Sequence, residues 1–453
     1  MLEHRSTSMT DIAFTSFPDD LATLTSWVGE QLPEGEYRKI FLKPNWVLHE
    51  KSPNFPIAAL VTSTTLIEAV LDACLDKYAG VESIMVGDVP LQSCDWEQLH
   101  HQAGLARLEE KYGDKVVFRD LRREKVEEID GYYKAVSDST HGDPSGYAEV
   151  VLDEQSLLDP ISNQAEQFRV SDYDPEEIVS SHRKSYHRYQ VARSILEADL
   201  FINLPKMKTH QKAGLTGALK NLVGINSGKK YLVHHRLGKP KQGGDEFPPD
   251  NNPLVALQIR IRERLQGGNA ALWKFARFFW TLAKKLTGLK TEGTAENLER
   301  KNFYVAAGSW YGNDTIWRMI YDLNRIILYG RSDQPKLAEE PQRRYLAFLD
   351  AGLSGEGNGP LQPIPVETGL VGCSDNPFFI DMAMAQFMGF DRKKIPQLSN
   401  YGLFGETPWS NRDPDGLSVR FKDETLTGIS ALPVLKPFRP SPGWVGHIEQ
   451  DQV

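Results

Sequence analysis

Cysteine is nearly absent. Cys74, Cys94 and Cys373 are the three in 453 residues, and no two stand in a C-x-x-C pair. This gives no disulfide framework and no zinc or iron–sulfur spacing, so no iron–sulfur cluster is expected and a reducing, cytoplasmic setting fits best. Uncharged apolar runs of 18 residues are also missing, so no ordinary membrane-spanning helix is expected. The start, MLEHRSTSMTDIAF, carries charge early and has no apolar stretch before a small-residue cleavage site, so no secretory leader is expected. Positive charge is in deficit: 52 Lys and Arg stand against 61 Asp and Glu, for a net charge of −9. Nucleic acid is held by summed basic charge, so it is not an expected partner, and any anion site must be local. The P-loop spacing, the G-x-G-x-x-G fingerprint, H-E-x-x-H and Cys/His clusters are all absent.

What is present describes an ordinary globular chain, with 40% apolar and 25% charged residues and enough length for two packed units. Short apolar runs precede helical patterns: KIFLKPN before TTLIEAVLDACLDKY, then ESIMVGD before CDWEQLHHQAGLARLEEKY. That alternation predicts α/β architecture: two lobes, each with a mainly parallel sheet flanked by helices, and a site in the cleft between them. The first lobe takes residues 1–240 with an insertion at 121–181. The second takes 241–453, with a C-terminal tail able to return to the first. The spacing predicts a helix in YHRYQVARSILEAD, and the Pro/Gly-rich run 238–253 reads as a linker or exposed loop.

The densest chemistry lies in INLPKMKTHQKAGLTGALKNLVGINSG, residues 202–228. A strand, DLFINLP, ends at Pro205, and Lys206, Lys208 and Lys212 then surround Thr209 and His210. Open α/β sheets bind ligands at the carboxyl ends of their strands, and a helix starting near Thr216 would point free N–H groups into the same space. Lys220 would lie one turn inside that helix, beside Asn221. Crowded by like charge, its amine should lose basicity and serve as nucleophile or base, with His210 carrying protons. Lys206, Lys208, Thr209, Thr216 and Asn221 are the substrate-binding candidates here.

Other strand ends add to the set. Lys43 and Asn45 follow the first strong strand, and Asp88, in GDVP, stands ready to orient a base or bind a hydroxyl. Glu356 and Asn358 lie in GEGNGP, a glycine-rich stretch that reads as a loop allowing close backbone approach. Asp381 sits inside a helical pattern, where a paired structural carboxylate competes evenly with a functional one. Of the adjacent His234 and His235, at most one should face the site. With His210 they are the metal-ligand candidates, although no spacing demands a metal. Residues 270–289, AALWKFARFFWTLAKKLTGL, combine Lys274, Arg277, Lys284 and Lys285 with a broad aromatic face. Peripheral membrane contact and packing on a twin subunit, as in a homodimer, are both open to such a helix.

KPNW, GDVP, ADLFINLPKMKTHQKAGLTGALKNLVG, GEGNGP and NPFFIDMAMAQFMGF, in this order, resemble the domain-of-unknown-function family numbered 362. More distantly, THQKAGLTGALKNLVG is similar to the segment of nickel-pincer lactate racemase in which a histidine precedes, by ten residues, the lysine that holds the cofactor covalently. His210 and Lys220 match that spacing. The resemblance implies a nickel-pincer nucleotide and hydride chemistry on a hydroxy acid. That racemase's other histidine loop would fall near Asp88, where this chain has no histidine, leaving His234 or His235 to supply a further ligand. The functional expectation is an enzyme acting on a small carboxylate or phosphorylated metabolite, by racemase, epimerase or hydroxy-acid redox chemistry. Its rivals are a non-catalytic anion-binding module and a membrane-peripheral assembly factor.

Overall fold

The computed structural model describes residues 11–129, 132–171, 173–250, 261, 306–410 and 412–451. The helix expected at 270–289, with its membrane or subunit contact, lies outside them.

An eleven-stranded sheet organises the chain. Its strands are β1 (Ile12–Ser16), β2 (Lys39–Pro44), β3 (Ser83–Asp88), β4 (Val116–Asp120), β5 (Leu200–Leu204), β6 (Lys206–His210), β7 (Gly214–Leu215), β8 (Arg344–Asn358), β9 (Gln362–Ser374), β10 (Ser418–Phe421) and β11 (Glu424–Thr427). Their order is β11-β10-β1-β9-β8-β5-β2-β3-β4, with β6 paired to β8 and β7 to β6. The run β8-β5-β2-β3-β4 is parallel throughout. The expected α/β class, with a large, mainly parallel sheet flanked by helices, is what the chain forms. Strands from both sides of residue 240 join in this sheet, and β10 from the C-terminal tail lies beside β1.

Side-chain alternation sends the two faces of each strand to different cores. Ile40 and Leu42 pack with Ile202 and Leu204 against α1 (Leu21–Gln31) and α2 (Thr64–Lys77). Phe41 and Phe201 point the other way and stack at 5.7 Å. On that face lie α5 (Gly217–Asn221), α6 (Ile316–Tyr329) and α7 (Pro377–Phe387), while α3 (Trp96–Gln102) and α4 (Leu105–Tyr112) join the first core. Helix starts follow the sequence: Asp20 accepts from Thr23 N at 2.8 Å, and Asn376 caps α7 ahead of Pro377. Among the described residues no helix is long and apolar enough to cross a membrane.

Three local expectations are corrected. Tyr186–Ala192 is a strand, not a helix: it pairs antiparallel with Tyr147–Val151, and only Arg193–Leu196 turns helical. The ladder partner comes from the inserted segment, which periodicity within 186–199 could not reveal. Glu356 and Asn358 lie in the regular strand β8, paired with Ile364 and Gln362 of β9, rather than in a loop. Part of the supposed linker is pinned, because the Asp245 carboxylate accepts from Arg236 N and from Thr315 Oγ1, each at 2.6 Å.

One buried ion pair ties the sheet's carboxyl edge together. Lys43 Nζ lies 2.7 Å from Asp88 Oδ1 and donates to Pro44 O at 2.7 Å. Asp88 also accepts from Trp46 N at 2.6 Å and Val89 N at 2.7 Å, so both oxygens are engaged. The pair rests on Gly224, where a Cβ would meet Asp88 Oδ1 at 2.0 Å and Lys43 Nζ at 2.7 Å. Gly224→Ala is therefore expected to cost about 3 kcal/mol in urea denaturation, the scale of a broken buried pair, whereas Gly80→Ala stays within about 0.5 kcal/mol. Gly80 has nothing within 4 Å of an added Cβ.

Candidate functional site

The segment from β5 to α5 builds the floor of a cavity of about 390 Å³. After Pro205 the chain continues as β6 alongside β8 instead of leaving the sheet. The turn that follows is closed by a side chain: His210 Nδ1 accepts from Lys212 N at 3.0 Å and Ala213 N at 3.2 Å. With Nδ1 facing two donors, the neutral ring carries its proton on Nε2. The same turn is held from outside, as Trp444 donates its indole N–H to Gln211 O at 2.6 Å and packs against Gly214. Gln211 N in turn donates to Gly359 O at 3.0 Å.

α5 begins at Thr216, but no Thr216 side-chain bond caps it. Asp381 of α7 does so, accepting from Ala218 N and from Leu219 N at 3.1 Å. Gly217, at φ +63°, makes room: a Cβ there would sit 2.1 Å from Asp381 Oδ1. The amides expected to receive an anion are thus filled by a carboxylate of the chain itself. Burial pushes the Asp381 carboxyl well above its usual range, against the pull of the two N–H bonds.

The cavity brings together Asn45, Asp88, His210, Thr216, Lys220, Asn221 and His234, all sequence candidates, with Lys212 and Lys229. Other candidates lie elsewhere. Lys206 is ion-paired with Asp350 at 2.9 Å, and Lys208 donates to Leu60 O at 2.6 Å, so neither expected clamp lines the cavity. Burial, then Lys206, holds the Lys208 amine well below its usual range. Lys43 backs the cavity through Asp88, and Asp88 itself, with both oxygens taken, is an anchor rather than an available base. Thr209 donates to Gly357 O at 2.9 Å. Glu356 accepts from Arg439 N at 2.9 Å, and Asn358 accepts from Gln211 Nε2 at 2.7 Å, so both fasten loops. His235 is not part of the cavity lining to which His234 belongs.

Lys220 is half-buried and has no ion-pair partner among the described residues. Burial, then Lys229, Lys212 and Lys43, pulls its amine down to about 7. Lys229 donates to Val89 O at 3.0 Å and is pulled down to about 8, mainly by burial. Burial and the neighbouring Lys220 hold His210 well below its usual range, so the ring stays neutral. His234 is neutral for a similar reason, with burial ahead of Lys212 and Lys220. Its Nδ1 lies 2.9 Å from Leu232 O and donates to it, leaving Nε2 with its lone pair. Asn45 and Asn221 form a side-chain bridge at 2.9 Å, continued to Asn203 at 2.7 Å.

Sequence reasoning missed Lys229, Tyr133 and Tyr173 in the lining. Lys229 directly follows Gly228 and carried a usable signal. The tyrosines lie in or beside the inserted segment, in no motif, and reach the cavity through tertiary packing alone. Among the described residues no group of three or more His, Cys, Asp or Glu could hold a metal ion.

Comparison with known proteins follows from this geometry. A thylakoid-associated protein of Synechocystis sp. (strain ATCC 27184 / PCC 6803 / Kazusa) is 31% identical over 78 residues, 17% of this chain and 24% of that protein. The chain therefore matches about a quarter of that relative's length. A crystal structure of a Thermotoga maritima protein aligns at 10% identity and a TM-score of 0.32, over 78% of this chain and 55% of that one, a likeness too low to bear on fold or function. The family described as a domain of unknown function, DUF362, matches residues 40–152 and 135–386, which is most of the chain. The protein belongs to the DUF362 family.

Proposed function

We propose that the chain is an enzyme that moves a proton on a small anionic metabolite, a carboxylate or phosphorylated compound, in racemase or epimerase chemistry. The observation that carries this reading is Lys220: a cavity-lining amine among other cations, without a carboxylate partner among the described residues, poised near neutrality. Lys212 and Lys229 supply charge for the anionic group. His210 offers an Nε2–H to a substrate oxygen while staying neutral, acting as a hydrogen-bond donor rather than as the proton carrier expected from sequence. His234 presents a bare Nε2 as an additional proton acceptor. Buried, unpaired Cys74, Cys94 and Cys373 suit a cytoplasmic setting.

The racemase resemblance also brings a nickel-pincer nucleotide into view, and the donor set does not fit it. A metal needs a nitrogen lone pair, and His210 spends its Nδ1 lone pair on two backbone N–H groups and carries hydrogen on the other nitrogen. His234 alone offers a free lone pair among the expected ligands that line the cavity. No step is assigned to a metal.

Proton abstraction leaves an isotopic signature. Incubated in D₂O with a panel of 2-oxo acids, 2-hydroxy acids and sugar phosphates, the chain is expected to place deuterium beside the carbonyl or carboxylate of at least one compound, read by proton NMR. Lys220→Arg keeps the charge but cannot act as a base, and should slow exchange at least about 100-fold. Undiminished exchange in that variant overturns the assignment, and binding without exchange in the wild type favours the anion-binding module. Exchange should rise as pH passes about 7, where Lys220 loses its proton.

The same amine makes stability depend on pH. Between its folded value of about 7 and the unfolded value of about 10.4, the unfolded chain binds a proton that the native chain lacks. Stability contributed by this group therefore rises with pH across that window, and its full penalty applies below it. Lys220→Met is expected to melt higher than wild type at pH 6, with the difference shrinking as pH approaches 10, measured by thermal unfolding monitored by circular dichroism.

A further inference from the structure

The cavity is larger and less polar than a three-carbon acid requires. An apolar void of about 150 Å³ already accepts benzene, and pockets of about 300 Å³ and above hold drug-sized ligands. Here the void is about 390 Å³. The amines all come from one stretch, 212–229, whereas Val47, Leu91, Tyr133, Val170, Tyr173 and Leu361 reach the lining from separate segments. Tyr133 and Tyr173 are neighbours, with ring centroids 5.6 Å apart and planes tilted by 51°. A ring entering beside them meets two aromatic faces or edges, the arrangement aromatic groups prefer.

Two polar atoms of the lining narrow the ligand further. Asn45 Oδ1 and Thr216 Oγ1 are buried, belong to cavity-lining residues and have no hydrogen-bond partner. Asn45 cannot turn its amide around without loss, because Nδ2 is committed to Asn221 Oδ1 at 2.9 Å. What remains is a bare carbonyl oxygen, which only a donor can satisfy. A plain carboxylate or phosphate oxygen has none to give; a hydroxyl beside it does.

We propose that the cavity selects an anion with a hydroxyl next to its charged group and an aromatic ring behind it: the amines take the charge, Asn45 Oδ1 accepts from the hydroxyl, and Tyr133, Tyr173 and Leu361 cover the ring. The inference rests on the anion-site reading above and narrows its substrate class.

A matched series of carboxylates tests each part by isothermal titration of the full chain. 3-Phenyllactate carries the charge, hydroxyl and ring; lactate lacks the ring; 3-phenylpropionate lacks the hydroxyl. 3-Phenyllactate is expected to bind at least about tenfold tighter than either, since a buried ring and a satisfied buried acceptor are each worth that much. Equal binding of 3-phenyllactate and lactate overturns the aromatic part, and equal binding of 3-phenyllactate and 3-phenylpropionate overturns the hydroxyl part. Absence of binding by all three would remove the anion-site reading as well, so the two failures are told apart. Leu361→Asn, at the half-buried turn between β8 and β9, adds no charge and should weaken 3-phenyllactate at least about tenfold more than it weakens lactate. Equal loss for both overturns the assignment of Leu361 to the ring.

Discussion

The site depends on the ion pair between Lys43 and Asp88. It lies where β2 and β3 end, is closed off by Gly224, and is sealed by the Trp46 and Val89 amides. Removing two charges from water is expensive, and the cost is offset only when every lone pair and proton finds a partner. Here the partners come from both strand ends and from Asn221 of α5, whose Oδ1 lies 3.4 Å from Lys43 Nζ. An arrangement satisfied so completely has one workable geometry. That geometry fixes the distance from the sheet edge to α5, which carries Lys220, and places a cavity with surplus positive charge inside an acidic molecule.

The strand-end logic and the His210-to-Lys220 spacing were legible because both are local. Apolar runs closed by proline or asparagine mark strand ends, and Gly214 and Gly217 mark turns. Lys206 and Lys208 were misplaced for the opposite reason. A lysine in sequence looks destined for water, and the groups that let these two be buried, Asp350 and Leu60 O, lie more than a hundred residues away. A like distance hid Asp381 as the cap of α5, and a shorter one, still beyond any local pattern, hid Tyr147–Val151 as the ladder partner that turns Tyr186–Ala192 into a strand. Glycines in GEGNGP were read as marks of a loop, but Gly355 and Gly359 are there because Pro363 and Thr209 press against them.

Chemistry at the site follows from how its protons are parcelled out. Backbone groups fix the two histidines in opposite tautomers, one offering hydrogen and the other a lone pair, without either becoming charged. The charge that remains belongs to lysines, and burial, with the neighbouring amines, makes Lys220 and Lys229 cheaper to discharge. Lys220 changes state nearest to neutral pH without breaking an ion pair among the described residues, which separates it from Lys43 and Lys206, while Lys229, pulled down to about 8, keeps its bond to Val89 O.

The place of β1 in the sheet has a consequence for biosynthesis. Near the start of the sequence, it pairs among the described residues with β9 and β10, and the turn at His210 is buttressed by Trp444. During translation, β1 must wait with both edges open until β9 and β10 have left the ribosome. The cavity beside that turn is consequently among the last parts of the molecule to take shape, and a product ending before β9 would expose sheet edges of the kind that chaperones hold.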